Sequence, residues 1–288
     1  VILETALADA LYLNWSVPLA ALPPAPAGLR YDSRHAALSG TDDRAANEEA
    51  FFSLVLFRQV GLHLRGASWL GLTYPQANAR LYVRDAANTP SVLLLRQLVP
   101  GWVVPLARLA GGQPVSAAIC DFPNAPSGPT RPPSPGAAGE VDAAGDREWR
   151  WRVAAGAQFS AAVRIGSPAS FPVPPSRGSG PAGRAGSTGP GSGEAWWSEV
   201  GFFRDRTRAY WRQGQALRRV EAEHPATTVL PVRARIECSD WLEAFVPFAP
   251  ASGWAGLHSA FLVPRVQMVL SLVSAPEMHV AAPVAAAG

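Results

Sequence analysis

Four stretches of the sequence hold side chains whose types and spacing suit chemistry. The first is "GGQPVSAAI", residues 111–119, where a Gly-Gly-x-Pro turn sets the angle at which Val115 and Ser116 leave the chain. No nucleophile-elbow pattern surrounds Ser116, so it reads as a wall residue rather than a catalytic serine. The second is "QANARLYV", residues 76–83. In a regular strand Gln76, Asn78, Arg80 and Tyr82 share one face, and Ala77, Ala79, Leu81 and Val83 share the other. The small, apolar face suits packing; the polar face either lines a pocket or meets solvent and salt bridges. The third is Asp205-Arg206, read either as a structural ion pair or, with Arg206 pointing inward, as a fork for a ligand carboxylate. The fourth is His224, before Pro225, which suits a general base or a hydrogen-bonded structural histidine.

All 25 basic residues are arginine, and the chain holds no lysine. Imine chemistry on a lysine amine is therefore excluded, because a guanidinium cannot form the adduct. The other histidines, at 35, 63, 258 and 279, are scattered without HxH or HExxH spacing, so no metal site is expected. No Walker or dinucleotide glycine pattern appears either, and no cofactor is expected. Cys120 and Cys238 lie far apart and read as two buried free thiols.

Holding such groups in place falls to elements legible from periodicity. Strands are expected at 51–57, 60–64, 78–84, 91–97 and 232–238. In the last of these Val232, Ala234, Ile236 and Cys238 alternate with charged neighbours. Residues 149–165 read as a hairpin turning at Gly156. The stretch "TRAYWRQGQALRRVEAEHP", 207–225, reads either as a helix with Gly214 mid-element or, preferably, as a hairpin turning at Gly214. Helices are expected at 100–110, stopped by Gly111 and Gly112, and at 194–205. Many strands, few helices and no βαβ alternation predict a mainly β (α+β) fold, an antiparallel barrel or sandwich with peripheral helices. The Pro/Gly-rich stretches 123–148 and 166–194 hold too few apolar side chains to repay ordering. They read as disordered insertions into one domain spanning 1–288, since 149–165 is too short to fold alone.

The net charge of +3 shows no clustered basic face, so nucleic acid is not an expected partner. The longest uncharged apolar runs, 97–107 and 266–276, are too short to span a bilayer. The opening "VILETALADALYLNW" carries Glu4 and Asp9 and lacks a basic n-region. A soluble, cytoplasmic protein that does not engage membranes is expected; a homo-oligomer stays open.

Several segments in order, "LYLNWSVPLAALPPAPAGLRYD", "YPQANARLYVRD", "LARLAGGQPVSAAI" and "FFRDRTRAY…EAEHP", together resemble the YqjF-like bacterial domain of unknown function within the acetoacetate decarboxylase-like superfamily. The resemblance implies a mostly antiparallel β-barrel or cone with helices outside. It also implies that a lysine pair follows the proline of the Gly-Gly-x-Pro turn in the decarboxylases, where this chain has Val115 and Ser116. Gln76 stands where the family usually has a glutamate, and Asp205-Arg206 and His224-Pro225 match its "E-R" and "H-P". The expectation is a small-molecule binding barrel for an organic acid or hydrophobic carboxylate, with Gln76, Asn78, Arg80, Tyr82, Ser116, Arg206 and His224 as pocket candidates. The alternatives are a lysine-independent lyase, hydratase or isomerase acting through Arg80, Arg206 and His224, and a structural or partner-binding protein.

Overall fold

The computed structural model describes residues 1–35, 48–123, 140–141, 147–165 and 200–273. In chain order the elements are β1 (Ile2–Pro18), β2 (Leu29–Tyr31), β3 (Arg34–His35), β4 (Glu48–Leu64), β5 (Leu72–Asp85), β6 (Pro90–Val99) and α1 (Val103–Gly111). There follow β7 (Val115–Ala117), β8 (Ile119–Asp121), β9 (Glu140–Val141), β10 (Arg147–Ala154), β11 (Gln158–Ile165), β12 (Arg208–Gln213), β13 (Ala216–Glu223), β14 (Leu230–Cys238), α2 (Asp240–Phe245) and β15 (Ser259–Val273). Residues 200–204 are helical.

Seven strands form a closed ring in the order β1-β4-β5-β6-β12-β13-β15, because β15 pairs back onto β1 from Ile2↔Ser271 to Asn14↔Ser259. The ring consists of two ribbons. Residues 2–99 supply β1, β4, β5 and β6; residues 208–273 supply β12, β13 and β15. The ribbons meet at β1–β15, which is antiparallel, and at β6–β12, which is parallel and short (Ser91↔Arg208 to Leu93↔Tyr210). The sheet is therefore mostly antiparallel, with short parallel pairings at β6–β12 and β6–β7.

Period-2 alternation sorts the side chains to the two faces of the ribbons. Leu11, Leu13, Trp15, Phe52, Leu54, Ala77, Ala79, Leu81 and Val83 point to the outer face and pack against Trp151, Val153, Phe159, Ala161, Val163, Trp241 and Leu242. These partners come from β10, β11 and α2, so the branch β14-β11-β10-β8 lies over the ring as a second layer. The inner set includes Ala10, Tyr12, Val55, Phe57, Tyr82, Val92, Leu94, Trp211 and Val263, joined by Val200 and Phe203 of the helical segment. All the large, fully buried aromatic side chains belong to one or other of the two cores on these faces, which fits the tryptophan-rich composition.

Several expectations are met with changed boundaries. The two hairpins turn at Gly156 and Gly214, both with positive φ. Helix α1 ends at Gly112, whose left-handed backbone lets its N–H donate to Arg108 O at 3.0 Å. Strands 51–57 and 60–64 are one long strand, β4, carried past Gln59 by a bulge at Gly61 (φ +62°). The expected insertion at 123–148 contains strand residues, since Glu140–Val141 pairs with Arg147 and Glu148. The remainder of that stretch, all of 166–194 and the first part of the expected helix 194–205 lie outside the described residues. Both cysteines are free but only half-buried, and burial pushes the Cys120 thiol up to about 12.

Candidate functional site

A cavity of about 180 Å³ lies inside the ring, lined by residues from all seven ring strands. Its walls are largely aliphatic, among them Leu7, Val55, Val92, Leu94, Val263 and Leu272. Polar groups enter from the inner face of β5, where Gln76, Asn78 and Arg80 follow one another at every second residue. Tyr82, next in that row, is buried at the end of the cavity in the inner core.

Arg80 is held by neutral groups. Its Nη2 donates to Tyr82 Oη (3.1 Å) and to Phe203 O (3.1 Å), while its Nε is buried with no partner. Its guanidinium carbon lies 5.0 Å from the Tyr12 ring centre and 5.3 Å from that of Tyr82. Phe203 O sits near the C-terminal end of the helical segment, where backbone carbonyls lack helical donors and carry partial negative charge. Among the described residues no carboxylate pairs with Arg80. Burial pushes the Tyr12 phenol up, so it is a protonated hydroxyl at neutral pH.

Tyr82 is itself fixed from behind. Ser53 Oγ lies 2.7 Å from Tyr82 Oη and donates to Asn14 Oδ1, and Asn14 Nδ2 donates to Ser259 Oγ at 3.1 Å. This chain crosses β4, β1 and β15, so three strands set the orientation of one phenol.

Arg206 is buried at the same end and lines the cavity. Its fork is already occupied: Nη1 donates to Asp32 Oδ2 and Nε to Phe202 O, both at 2.6 Å. Asp32 also accepts from Arg84 Nε at 2.8 Å. Burial lowers the Arg206 guanidinium from its ordinary value, and Asp32 opposes that. The Asp205-Arg206 pair of the sequence reading is replaced by two pairs, since Asp205 binds Arg204 instead. The Tyr82 ring lies within 5.3 Å of both the Arg80 and Arg206 guanidinium carbons, a favourable aromatic contact for each cation.

His224 lines the cavity and also a groove outside the ring that contains Glu4, His63 and Arg265. Its Nδ1 lies 3.2 Å from Pro225 O. Ser116 does not line the cavity: it pairs with Leu98 in β7, and Val115 packs with Tyr74, Val99 and Val103. From the same turn it is Gln113 that reaches the cavity. The structure thus brings Gln76, Asn78, Arg80, Arg206 and His224 around one space, with Tyr82 against it and Ser116 outside.

The sequence reading passed over Tyr12, Asp32, Gln59, Gln97 and Arg204. Tyr12 was detectable, because "LYLNW" alternates polar Tyr12 and Asn14 with Leu11, Leu13 and Trp15. Among the described residues no group of three His, Cys, Asp or Glu side chains is placed to hold a metal ion. No helix among them is long and apolar enough to cross a membrane.

The sequence profile of DUF2071, described as an uncharacterized conserved protein (COG2071), matches residues 4–252. No protein with a curated description matches the chain. Solved structures of similar fold include the enduracididine biosynthesis enzyme MppR complexed with pyruvate, which is 13% identical with a TM-score of 0.51 over 93% of this chain and 87% of that one. Another is an acetoacetate decarboxylase-like enzyme from Sphingomonas wittichii RW1, 14% identical with a TM-score of 0.51 over 97% and 93%. These likenesses establish a shared fold.

Proposed function

We propose a function for this chain, which belongs to the DUF2071 family: it binds a small organic acid inside the ring, with Arg80 receiving the carboxylate. The observation that carries this reading is a guanidinium lining a largely aliphatic cavity with no carboxylate among the described residues to balance it. An isolated buried charge is costly, and a bound anion supplies the missing partner. The bonds so formed are charge-assisted, roughly twice as strong as neutral ones. Tyr12, protonated, adds a hydroxyl beside the guanidinium.

The size of the cavity narrows the ligand. About 180 Å³ gives room for an acid of a few heavy atoms. The similar MppR structure holds pyruvate, an acid of that size. Imine formation, as in lysine-dependent decarboxylation, has no amine here, so retention of the acid relies on charge and shape.

Thermal denaturation with pyruvate, butyrate and longer hydrophobic carboxylates tests the reading. Short acids are expected to raise Tm in proportion to the logarithm of their concentration above Kd, and Arg80→Met to abolish the effect. No stabilisation of the folded wild-type chain by any acid overturns it.

A second reading is favoured by one observation, that Arg80, Arg206 and His224 line the same cavity. A lysine-independent lyase, hydratase or isomerase acting on a carbonyl compound requires that convergence. Its signature is deuterium uptake from solvent at the carbon next to a bound ketone, followed by NMR and lost in His224→Gln.

A further inference from the structure

The cavity has two chemically different ends. Away from Arg80 the lining includes the uncharged amides Gln59, Gln76, Asn78 and Gln97, and Gln113 reaches the same cavity. Gln76 Nε2 donates to Asn78 Oδ1 and Gln59 Nε2 to Thr5 Oγ1, each at 2.7 Å. Gln97 is only 5% exposed, and its Oε1 is buried without a hydrogen-bond partner. A buried amide oxygen without a donor is a standing cost that a ligand hydroxyl can remove.

Backbone geometry places Gln97 there. In the β5–β6 pairing Asn78 faces Gln97, but Arg80 faces Leu94, so Leu95 is an extra residue in a bulge. The bulge lets Leu94 and Gln97, three positions apart, both line the cavity. These amides donate and accept hydrogen bonds but carry no charge to neutralise a carboxylate.

We propose that the ligand is a short hydroxy-carboxylic acid, its carboxylate on Arg80 and its hydroxyl among the amides at Gln97. This rests on the acid-binding reading above and specifies the ligand class. A hydroxyl both donates and accepts, so it meets Gln97 and Asn78 at once. A methyl group in its place leaves the amides unpaired, and a second carboxylate is buried without a counter-charge. Arg80 and Asn78 are two residues apart on β5, about 7 Å, which matches a hydroxyl three or four bonds from the carboxyl carbon.

The test is calorimetric titration of the full chain with butyrate, 4-hydroxybutyrate and succinate at neutral pH. The hydroxy acid is expected to bind at least about tenfold more tightly than either of the others, because sites built around a ligand hydroxyl reject analogues lacking it. Gln97→Leu is expected to bring the ratio of 4-hydroxybutyrate to butyrate affinity close to one. Butyrate binding to the wild type as tightly as 4-hydroxybutyrate overturns the hydroxyl assignment and leaves acid binding intact. No binding of any of the three overturns both. The wild-type ratio decides the matter even if the substituted chain does not fold.

Discussion

Arg206 and Arg80 are both enclosed by the inner face of the ring, and the chain treats them differently. Arg206 is given a buried carboxylate, Asp32, while Arg80 is given ring faces, a phenol and a backbone carbonyl. Removing one charge at each of the two places should therefore have unequal consequences. Asp32→Asn strands Arg206 and deprives Arg84 of its carboxylate, and is expected to cost about 3–5 kcal/mol in urea unfolding. Arg80→Met strands no acid and is expected to shift stability by no more than about 1 kcal/mol. The difference in legibility follows the same line. That Gln76, Asn78 and Arg80 share a face is visible in the sequence, because a strand's period is local. That Asp32 partners Arg206 is not, because 174 residues separate them and several other arginines and acids offer equally plausible pairs on paper.

Among the elements, the hairpins and β14 were readable because their alternation is regular and their turns carry glycine. Strand β1 was not, because its alternation breaks where the register shifts between Ala8 and Leu11, with Asp9 at φ +53°. The same physics hid Gln97, since simple alternation from Leu94 would send it to the opposite face. What holds β12 in place is also a cross-element contact. Asp85, at the end of β5, accepts from Thr89 N (2.9 Å), Arg208 Nη1 (2.6 Å) and Tyr210 Oη (3.0 Å), tying β12 to the β5–β6 turn. Burial raises the Asp85 pKa, but these hydrogen bonds outweigh it and hold the carboxyl below its ordinary value. A depressed folded pKa stabilises fully above the unfolded value, about 4, and that contribution is lost as pH falls through the folded value. Asp85→Asn is expected to cost about 2–3 kcal/mol at pH 7. The Tm gap between wild type and Asp85→Asn should stay constant above about pH 5 and close below about pH 4.

At the scale of the whole molecule, the ring is assembled from two ribbons that are each contiguous in sequence and contain their own hairpins. Within residues 2–99 and 208–273 the chain between neighbouring ring strands is shorter than the stretch between the two ribbons, across which the parallel β6–β12 junction joins Leu93 to Tyr210. Closing so long a loop costs entropy before any contact rewards it, so that junction is expected to form after the hairpins. The cavity exists only once both ribbons are joined, because its lining is drawn from both. A bound acid should therefore leave the refolding rate nearly unchanged and slow unfolding in proportion to its saturation, as measured in stopped-flow chevrons with and without ligand. Faster refolding with an unchanged unfolding rate would mean that the cavity is already formed at the barrier. The short parallel seam thus makes ligand binding a matter of lifetime: whatever the protein holds, it protects the closed ring from opening rather than helping it to form.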